Sequence, residues 1–399
     1  VSPSARRTTA LVLVGIVLLS LNLRPAAVSI GPVLEEIRDA YSMSGPTAGL
    51  LTSLPVIAFA AFGALAPAAA HRIGLHRVTL LALVAVMLGL TGRALTGSET
   101  LFLLLSMLAL AGMAMANVLL PSLVKLHFPD RIGMVTAIYT TALSTGLTAA
   151  LVLTVPISDS FGGWRWGLGT WALVAAVAAI PWFGLAAHDR HLESTPRTVS
   201  FRDVARTRLG LAMAGFFGLQ SLQAYAIFGW FATLWRDNGY DATTAGVLAG
   251  VVAGTAIPLS LWLPNVLARS AEPWRVLVAV IATYPVGYVG LMLSPHDLAL
   301  LWAVLVGIGT VTFPLILTLI GLRARTPEGT AALSAFTQST GYLIAAAGPF
   351  VVGVVHTATS GWTVPLALML VLAMPLFALA VYVSRPIMVE DQLQQRVSA

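Results

Sequence analysis

The chain has 399 residues, of which 58 % are hydrophobic and only 10 % charged, at a mean hydropathy of +0.88. Soluble domains carry about 25 % charged residues, so this composition excludes a soluble protein and identifies an integral membrane protein with no sizeable soluble domain. The net charge of +6 comes from basic residues set singly in short connections, not from a stripe with interleaved aromatics, which excludes a nucleic-acid partner; the absence of cysteine excludes disulfides, thiolate metal sites and cysteine nucleophiles.

Apolar runs of the ~20 residues needed to cross a ~30 Å hydrocarbon core recur from end to end. Hydropathy places helices at about 9–35, 44–70, 76–96, 100–126, 132–156, 164–187, 209–236, 242–267, 274–294, 297–322, 328–356 and 362–384. The expected fold is an all-α membrane protein of twelve transmembrane helices in two six-helix bundles. The first run is too long for a signal-peptide core and is read as a retained helix.

Helix one contains the stretch SLNLRPAAVSIGP, residues 20–32. Counted from Thr9, Arg24 lies about 22 Å along the axis at 1.5 Å per residue, close to the midplane. Pro25 frees the carbonyl of Leu21 and Pro32 that of Val28, and irregular backbone at that depth is tolerated only inside protein or along a cavity. Helix one is therefore predicted to be kinked and cavity-lining. No Asp or Glu falls in the interior of any predicted span, and an arginine stays protonated in essentially any site. A transiently bound anion or electron-rich polar ligand is the natural balance for such a charge; a role in pinning neighbouring helices through their carbonyls is the alternative. Asn22, two residues away, points about 200° round an ideal helix from Arg24 and shares its cavity only if Pro25 distorts the turn.

Further along, Asn117 on helix four, Tyr139 on helix five, Gln220 and Gln223 on helix seven, and Gln338 and Tyr342 on helix eleven lie within about two turns of the midplane. These residues are the candidate substrate contacts, with helix-bridging hydrogen bonds as the alternative role for each. Trp230 reads as a cavity aromatic or an interfacial anchor, and Trp235 as part of the interfacial belt. His71, His76 and His127 fall at cytoplasmic helix ends, His296 and His356 near the opposite surface, none with a His or carboxylate partner one turn away. No metal and no cofactor are expected. Nor is there a set of paired acids, a metal triad or a nucleophile with its base, so no enzyme is expected.

The longest polar connection, His188 to Arg208, divides the chain into a bundle at 1–187, a cytoplasmic linker at 188–208 and a bundle with a short tail at 209–399. Seventeen of the 22 basic residues fall on the face shared by the termini, against Arg38, Arg93, Arg165 and Arg236 on the other. By the positive-inside rule both termini are cytoplasmic, in a multi-pass protein of the inner cell membrane. The halves repeat weakly: KLHFPDRIGMVTAIYTTALSTG at Lys125–Gly146 answers RARTPEGTAALSAFTQSTG at Arg323–Gly341, and Gly163-Trp164 answers Gly361-Trp362. Parallel repeats of this kind place a site near the midplane between the halves.

The chain resembles a major facilitator superfamily transporter over its full length. LNLRPAAVSIGPVL, GLLTSLPVIAFAAFG and SLQAYAIFGWFATLWRDNGYDATTAG are similar to the cyanate-permease and 2-nitroimidazole-transporter branch. The resemblance implies alternating access, a small anion or small polar heteroaromatic as substrate, and a functional monomer in the lipid bilayer. It also implies gating positions at Arg72, Gly74 and Arg77, with Arg131. The loop after helix two, His71-Arg72-Ile73-Gly74-Leu75-His76-Arg77, has His71 where the superfamily usually carries an acid, which puts its charge relay in doubt. Helix five reads GLTAALVLTVP over Gly146–Pro156, without the Gly-Pro motif of drug/proton antiporters. That disfavours broad drug or metabolite efflux, the alternative transport reading; a non-transporting sensor is a remote one. With no carboxylate inside the spans, proton or counter-ion coupling through Glu35, Glu36 or His127 and simple facilitated diffusion both stay open.

Overall fold

The structure, a computed structural model, describes residues 3–43, 45–187, 199–240 and 242–397. Every regular element among them is helical. The first half of the chain forms α1 (Pro3–Asn22), α2 (Pro25–Val28), α3 (Leu34–Tyr41), α4 (Gly45–Gly63), α5 (Ala66–Ile73), α6 (Leu75–Leu95), α7 (Glu99–His127), α8 (Ile132–Phe161) and α9 (Trp164–Ala187). The second forms α10 (Phe201–Ala205), α11 (Arg208–Asp237), α12 (Ala242–Arg269), α13 (Pro273–Ile281), α14 (Thr283–Leu293), α15 (Ala299–Thr310), α16 (Thr312–Leu322), α17 (Pro327–Ala345), α18 (Ala347–Thr359), α19 (Thr363–Val383) and α20 (Val389–Val397).

Eleven helices among the described residues are long and apolar enough to cross a membrane, or twelve if α4 and α5, which meet at 46°, form one span. Most of the predicted linker, residues 188–198, lies outside the described residues. The described residues fall into two compact units: one holds Val1–Pro129, Ile138–Phe201 and Thr326–Ala335, the other Asp130–Ala137, Arg202–Arg325 and Phe336–Ala399.

Proline explains where the spans break. Its ring clashes with the carbonyl four residues back and offers no N–H to it. Val28, Gly63, Ile281, Thr310 and Ala345 each end a helix four residues before Pro32, Pro67, Pro285, Pro314 and Pro349; α1 ends at Asn22, three before Pro25. Helix one is thus broken as its sequence predicts, and the same interruption recurs in spans where continuous helices were expected. Pro55, Pro121, Pro156, Pro181, Pro258, Pro264 and Pro375 sit inside helices that continue past them. A proline permits a break without dictating one.

In lipid, helices associate by close backbone approach because apolar contact alone gains little. In the first unit a Cβ on Gly89 would meet the Leu105 carbonyl and the Ala109 nitrogen at 2.6 Å, and one on Gly112 would collide with the Ala82 carbonyl. These glycines let α6 and α7 touch along their length. Leu81, Leu88 and Leu95, a heptad apart on α6, remain 53–78 % exposed and face the bilayer. The second unit is built on Phe231, Trp235, Tyr284 and Tyr288, all at most 1 % exposed. Trp235 therefore belongs to a core and not to the interfacial belt: Phe231 packs edge-on against it at 5.7 Å.

Candidate functional site

Arg24 sits at the interruption of span one, half-buried, with φ −110° and ψ −34°. Its carbonyl accepts the N–H groups of Ala27 and Val28 at 3.0 and 3.1 Å, so Arg24 is the residue from which the single turn of α2 starts. The Ser29 hydroxyl closes that turn onto the Pro25 carbonyl at 2.6 Å. Gly146 of α8 lies directly on the backbone of Leu21, whose carbonyl a Cβ there would overlap. The break is thus packed helix to helix at the point where Pro25 withholds a donor.

Asn22 is fully buried, and its Nδ2 donates to the Trp171 carbonyl of α9 at 3.3 Å. In the same unit Asn117 on α7 and Tyr139 on α8 are buried, at 2 % and 0 % exposure.

Arg93, counted in the sequence among the basic residues of the face opposite the termini, is 0 % exposed in the last turn of α6. Its Nη1 donates to the Ala26 carbonyl at 2.9 Å and its Nη2 to the Ser29 hydroxyl at 3.1 Å. Arg93 lies two residues from the end of α6, where hydropathy alone cannot separate a buried cation from a loop.

In the second unit, Gln220 and Gln223 are both fully buried, with their amides engaged. Gln223 donates to the Met369 carbonyl of α19 at 2.8 Å and accepts from the Tyr288 hydroxyl of α14 at 2.7 Å. Gln220 donates to the Phe217 carbonyl at 3.2 Å and the Ser221 hydroxyl at 2.6 Å, and accepts from Thr312, at the start of α16, at 3.5 Å. The two glutamines therefore serve different helix contacts and do not share one.

Tyr342, 1 % exposed, packs edge-on against Phe217 at 5.1 Å and against the half-buried Tyr225 at 6.3 Å, while Phe217 meets Phe313 at 6.0 Å. Of this aromatic group the sequence reading singled out Tyr342 alone, and not Tyr225 or Phe313. The available signal was Phe313 directly before Pro314, at the break between α15 and α16. Gln338, one turn before Tyr342 on α17, is fully buried.

The connection between α5 and α6 turns at Gly74, whose φ of +98° favours glycine. Arg72 is exposed, while the Arg77 Nε donates to the Ala186 carbonyl at the C-terminus of α9 at 3.3 Å, where a cation complements the helix dipole. Arg131 is exposed, on the short 3-10 turn Pro129–Arg131.

Histidines make contacts between helices. His76 and His127, on different helices, meet with their Nε2 atoms 2.8 Å apart. His356 lies 3.4 Å from the Asp237 carboxylate, which also accepts the Trp362 indole N–H at 2.9 Å. Looking only one turn along a helix hides both contacts. Asp237, His356 and Trp362 line a cleft of about 620 Å³ in the second unit, which none of the predicted substrate contacts lines. Trp230 stands beside it, 6.1 Å from His356, and donates to the Pro349 carbonyl at 2.8 Å.

A family model described as Major Facilitator Superfamily matches residues 12–349. The chain is 35 % identical to the uncharacterised transporter YycB of Bacillus subtilis, over 89 % of each chain. It is 35 % identical to the 2-nitroimidazole transporter of Escherichia coli, covering 88 % of this chain and 90 % of that one. To the Escherichia coli cyanate transport protein CynX it is 29 % identical, covering 87 % and 90 %. Among solved structures, the proton:xylose symporter XylE superposes with a TM-score of 0.76 over 98 % of both chains at 13 % identity, a likeness of fold alone.

Proposed function

The chain belongs to the Major Facilitator Superfamily, and from that membership we propose that it carries a small anion or a small polar heteroaromatic across the membrane, with Arg24 as its charged anchor. It is a multi-pass transporter, and the family's general mechanism is alternating access. The observation that carries the substrate class is the position of Arg24: a half-buried arginine at the opening of α2, where span one is interrupted. Ionisable residues at membrane depth mark substrate paths, and a guanidinium presents a planar fork of donors to carboxylate-like or nitro-like acceptors. The relatives named for 2-nitroimidazole and cyanate carry ligands of that acceptor chemistry.

Within this reading the bundles are 1–187 and 209–399 joined by a linker at 188–208, both termini are cytoplasmic, and the working unit is a monomer. Asn117, Tyr139, Gln338 and Tyr342 are the further contact candidates. Gln220, Gln223 and Asn22 are further ones, and their amides also bond neighbouring groups of their own unit.

The test is uptake of 2-nitroimidazole and of cyanate into proteoliposomes by wild type, Arg24→Ala and Arg24→Lys. A hydrogen bond to a charged group contributes about 1.5–3 kcal/mol, so Arg24→Ala raises KM by about 10- to 100-fold and Arg24→Lys by less. Unchanged flux in both variants rejects the anchor role. In the same vesicles, indifference to an imposed pH gradient at fixed voltage rejects proton coupling.

A further inference from the structure

We propose that Arg93 is a positioning residue of the transport site: its guanidinium holds α2, and through α2 it fixes where Arg24 stands. The proposal rests on the reading of Arg24 as the anchor.

The geometry begins with α2 itself. Four residues long, it is far below the length at which a helix holds its own shape, since nucleation of the first turn is unfavourable. Both flanks are interrupted by proline, so backbone continuity does not aim it. Something outside the turn must set its direction.

Arg93 does so with two bonds to adjacent acceptors, Nη1 to the Ala26 carbonyl at 2.9 Å and Nη2 to the Ser29 hydroxyl at 3.1 Å. Among the described residues no backbone N–H reaches the Ala26 carbonyl, because α2 ends at Val28 and the next helical element, a 3-10 turn, begins only at Gly31. The guanidinium takes the place of the missing backbone donor, and as a cation at the C-terminal end of the turn it also complements the local dipole. Ser29 passes the restraint on, since its hydroxyl donates in turn to the Pro25 carbonyl. From the Pro25 carbonyl the next residue back along the chain is Arg24.

The mount is firm. Gly89, one turn before Arg93 on α6, seats against the backbone of α7 at Leu105 and Ala109, so Arg93 projects from a helix that is itself locked. Burial of a cation costs several kcal/mol, and a hydrophobic side chain of similar volume often serves stability as well or better. No carboxylate among the described residues pairs with Arg93. A donor fork aimed at two oxygens of a broken helix is what an apolar replacement cannot supply.

The experiment compares wild type, Arg93→Met, Arg93→Lys and Ser29→Ala in two readouts. The first is the KM and Vmax for 2-nitroimidazole uptake into proteoliposomes; the second is hydrogen–deuterium exchange of the peptide covering residues 23–33, which needs no substrate. Arg93→Met is expected to raise KM about tenfold at a Vmax per folded protein within twofold of wild type. Exchange over 23–33 should rise about tenfold, with α6 peptides unchanged. Arg93→Lys, which keeps a cation but not the fork, should fall between, and Ser29→Ala should give the smaller change of one lost bond. If Arg93→Met does not fold, Arg93→Lys and Ser29→Ala carry the same comparison. Loss of Vmax in proportion to folded protein, with KM and exchange at wild-type values, overturns the proposal. So does increased exchange with an unchanged KM, while Arg24→Ala in parallel abolishes uptake. Unchanged uptake by Arg24→Ala instead rejects the anchor reading and with it the link from Arg93 to transport.

Discussion

The Gln223–Tyr288 contact gives a quantitative test of how the second unit is held together. Tyr288 Oη donates to Gln223 Oε1 at 2.7 Å, and Gln223 Nε2 donates to the Met369 carbonyl at 2.8 Å, tying α14, α11 and α19 at one point. In a soluble core, opening a buried acceptor would cost about 1–3 kcal/mol. In a bilayer the unfolded reference also finds partners, and measured couplings average about 0.6 kcal/mol with a maximum near 1.7. Both residues are 0 % exposed and closed off from bulk solvent, so the upper half of the membrane range applies. The double-mutant cycle of Gln223→Leu, Tyr288→Phe and the pair should therefore return a coupling of about 0.6–1.7 kcal/mol, or roughly 3- to 20-fold in the folding equilibrium. The assay is reversible unfolding in mixed micelles followed by tryptophan fluorescence, with transport KM measured on the same four proteins. Strict additivity of the two single effects, or a large KM change in Gln223→Leu without loss of stability, would refute the assignment of this glutamine to helix bonding.

Gly146→Ala should destabilise by about 1–3 kcal/mol, the usual cost of overpacking, because its methyl meets the Leu21 backbone and not a side chain that could swing away; an unchanged thermal midpoint would show that α1 and α8 separate freely there. Tyr41 donates to the Thr96 carbonyl at 2.8 Å, and burial raises its phenol pKa above 10.0 against the opposing pull of Arg165. Its contribution to stability is therefore complete below pH 10 and lost as pH rises through the folded pKa; Tyr41→Phe should remove that part of the alkaline loss in a pH series of thermal unfolding. Arg323 donates to the Val383 and Ser384 carbonyls at 2.9 and 2.6 Å, and burial lowers its pKa below the usual guanidinium range. Arg323→Met should cost about 1–3 kcal/mol for the carbonyls left open, measured as a lowered midpoint, with KM unchanged. Removing α20 takes away the Gln392 acceptor of the Leu209 N–H and the Asp391 partner of Arg325; a truncation before Val389 should lower the midpoint by a few degrees, and one that leaves it unchanged would show that the tail contributes nothing.

Hydropathy made the spans legible because a bilayer imposes one length on all of them. The predicted 164–187 is the observed α9, and 76–96 differs from α6 by one residue at each end. The interruption of span one could be read from Pro25 and Pro32, but the breaks before Pro285, Pro314 and Pro349 could not be told from the unbroken passages of Pro121 or Pro181. Proline chemistry is local, whereas the decision to break lies in what packs around it. The same limit applies to side chains. Arg93 and Arg165 look alike in sequence, each within two residues of a helix end; one is buried against α2, while the other stacks over Trp164 at 4.4 Å and donates to the Thr96 carbonyl. Only the path of a neighbouring helix distinguishes them.

The breaks also distribute stiffness. A continuous helix resists bending because a bend must stretch its hydrogen bonds, but at Val28, Gly63, Ile281, Thr310 and Ala345 the proline that follows has already removed the bond a bend would stretch. Each of these spans is therefore two stiff rods on a compliant joint, and an applied load is taken up at the joint before it strains either rod. Elastic weakness is written into the interior of the spans as well as their connecting loops, so substituting alanine for a proline such as Pro285 would stiffen a span without touching a single residue of the site.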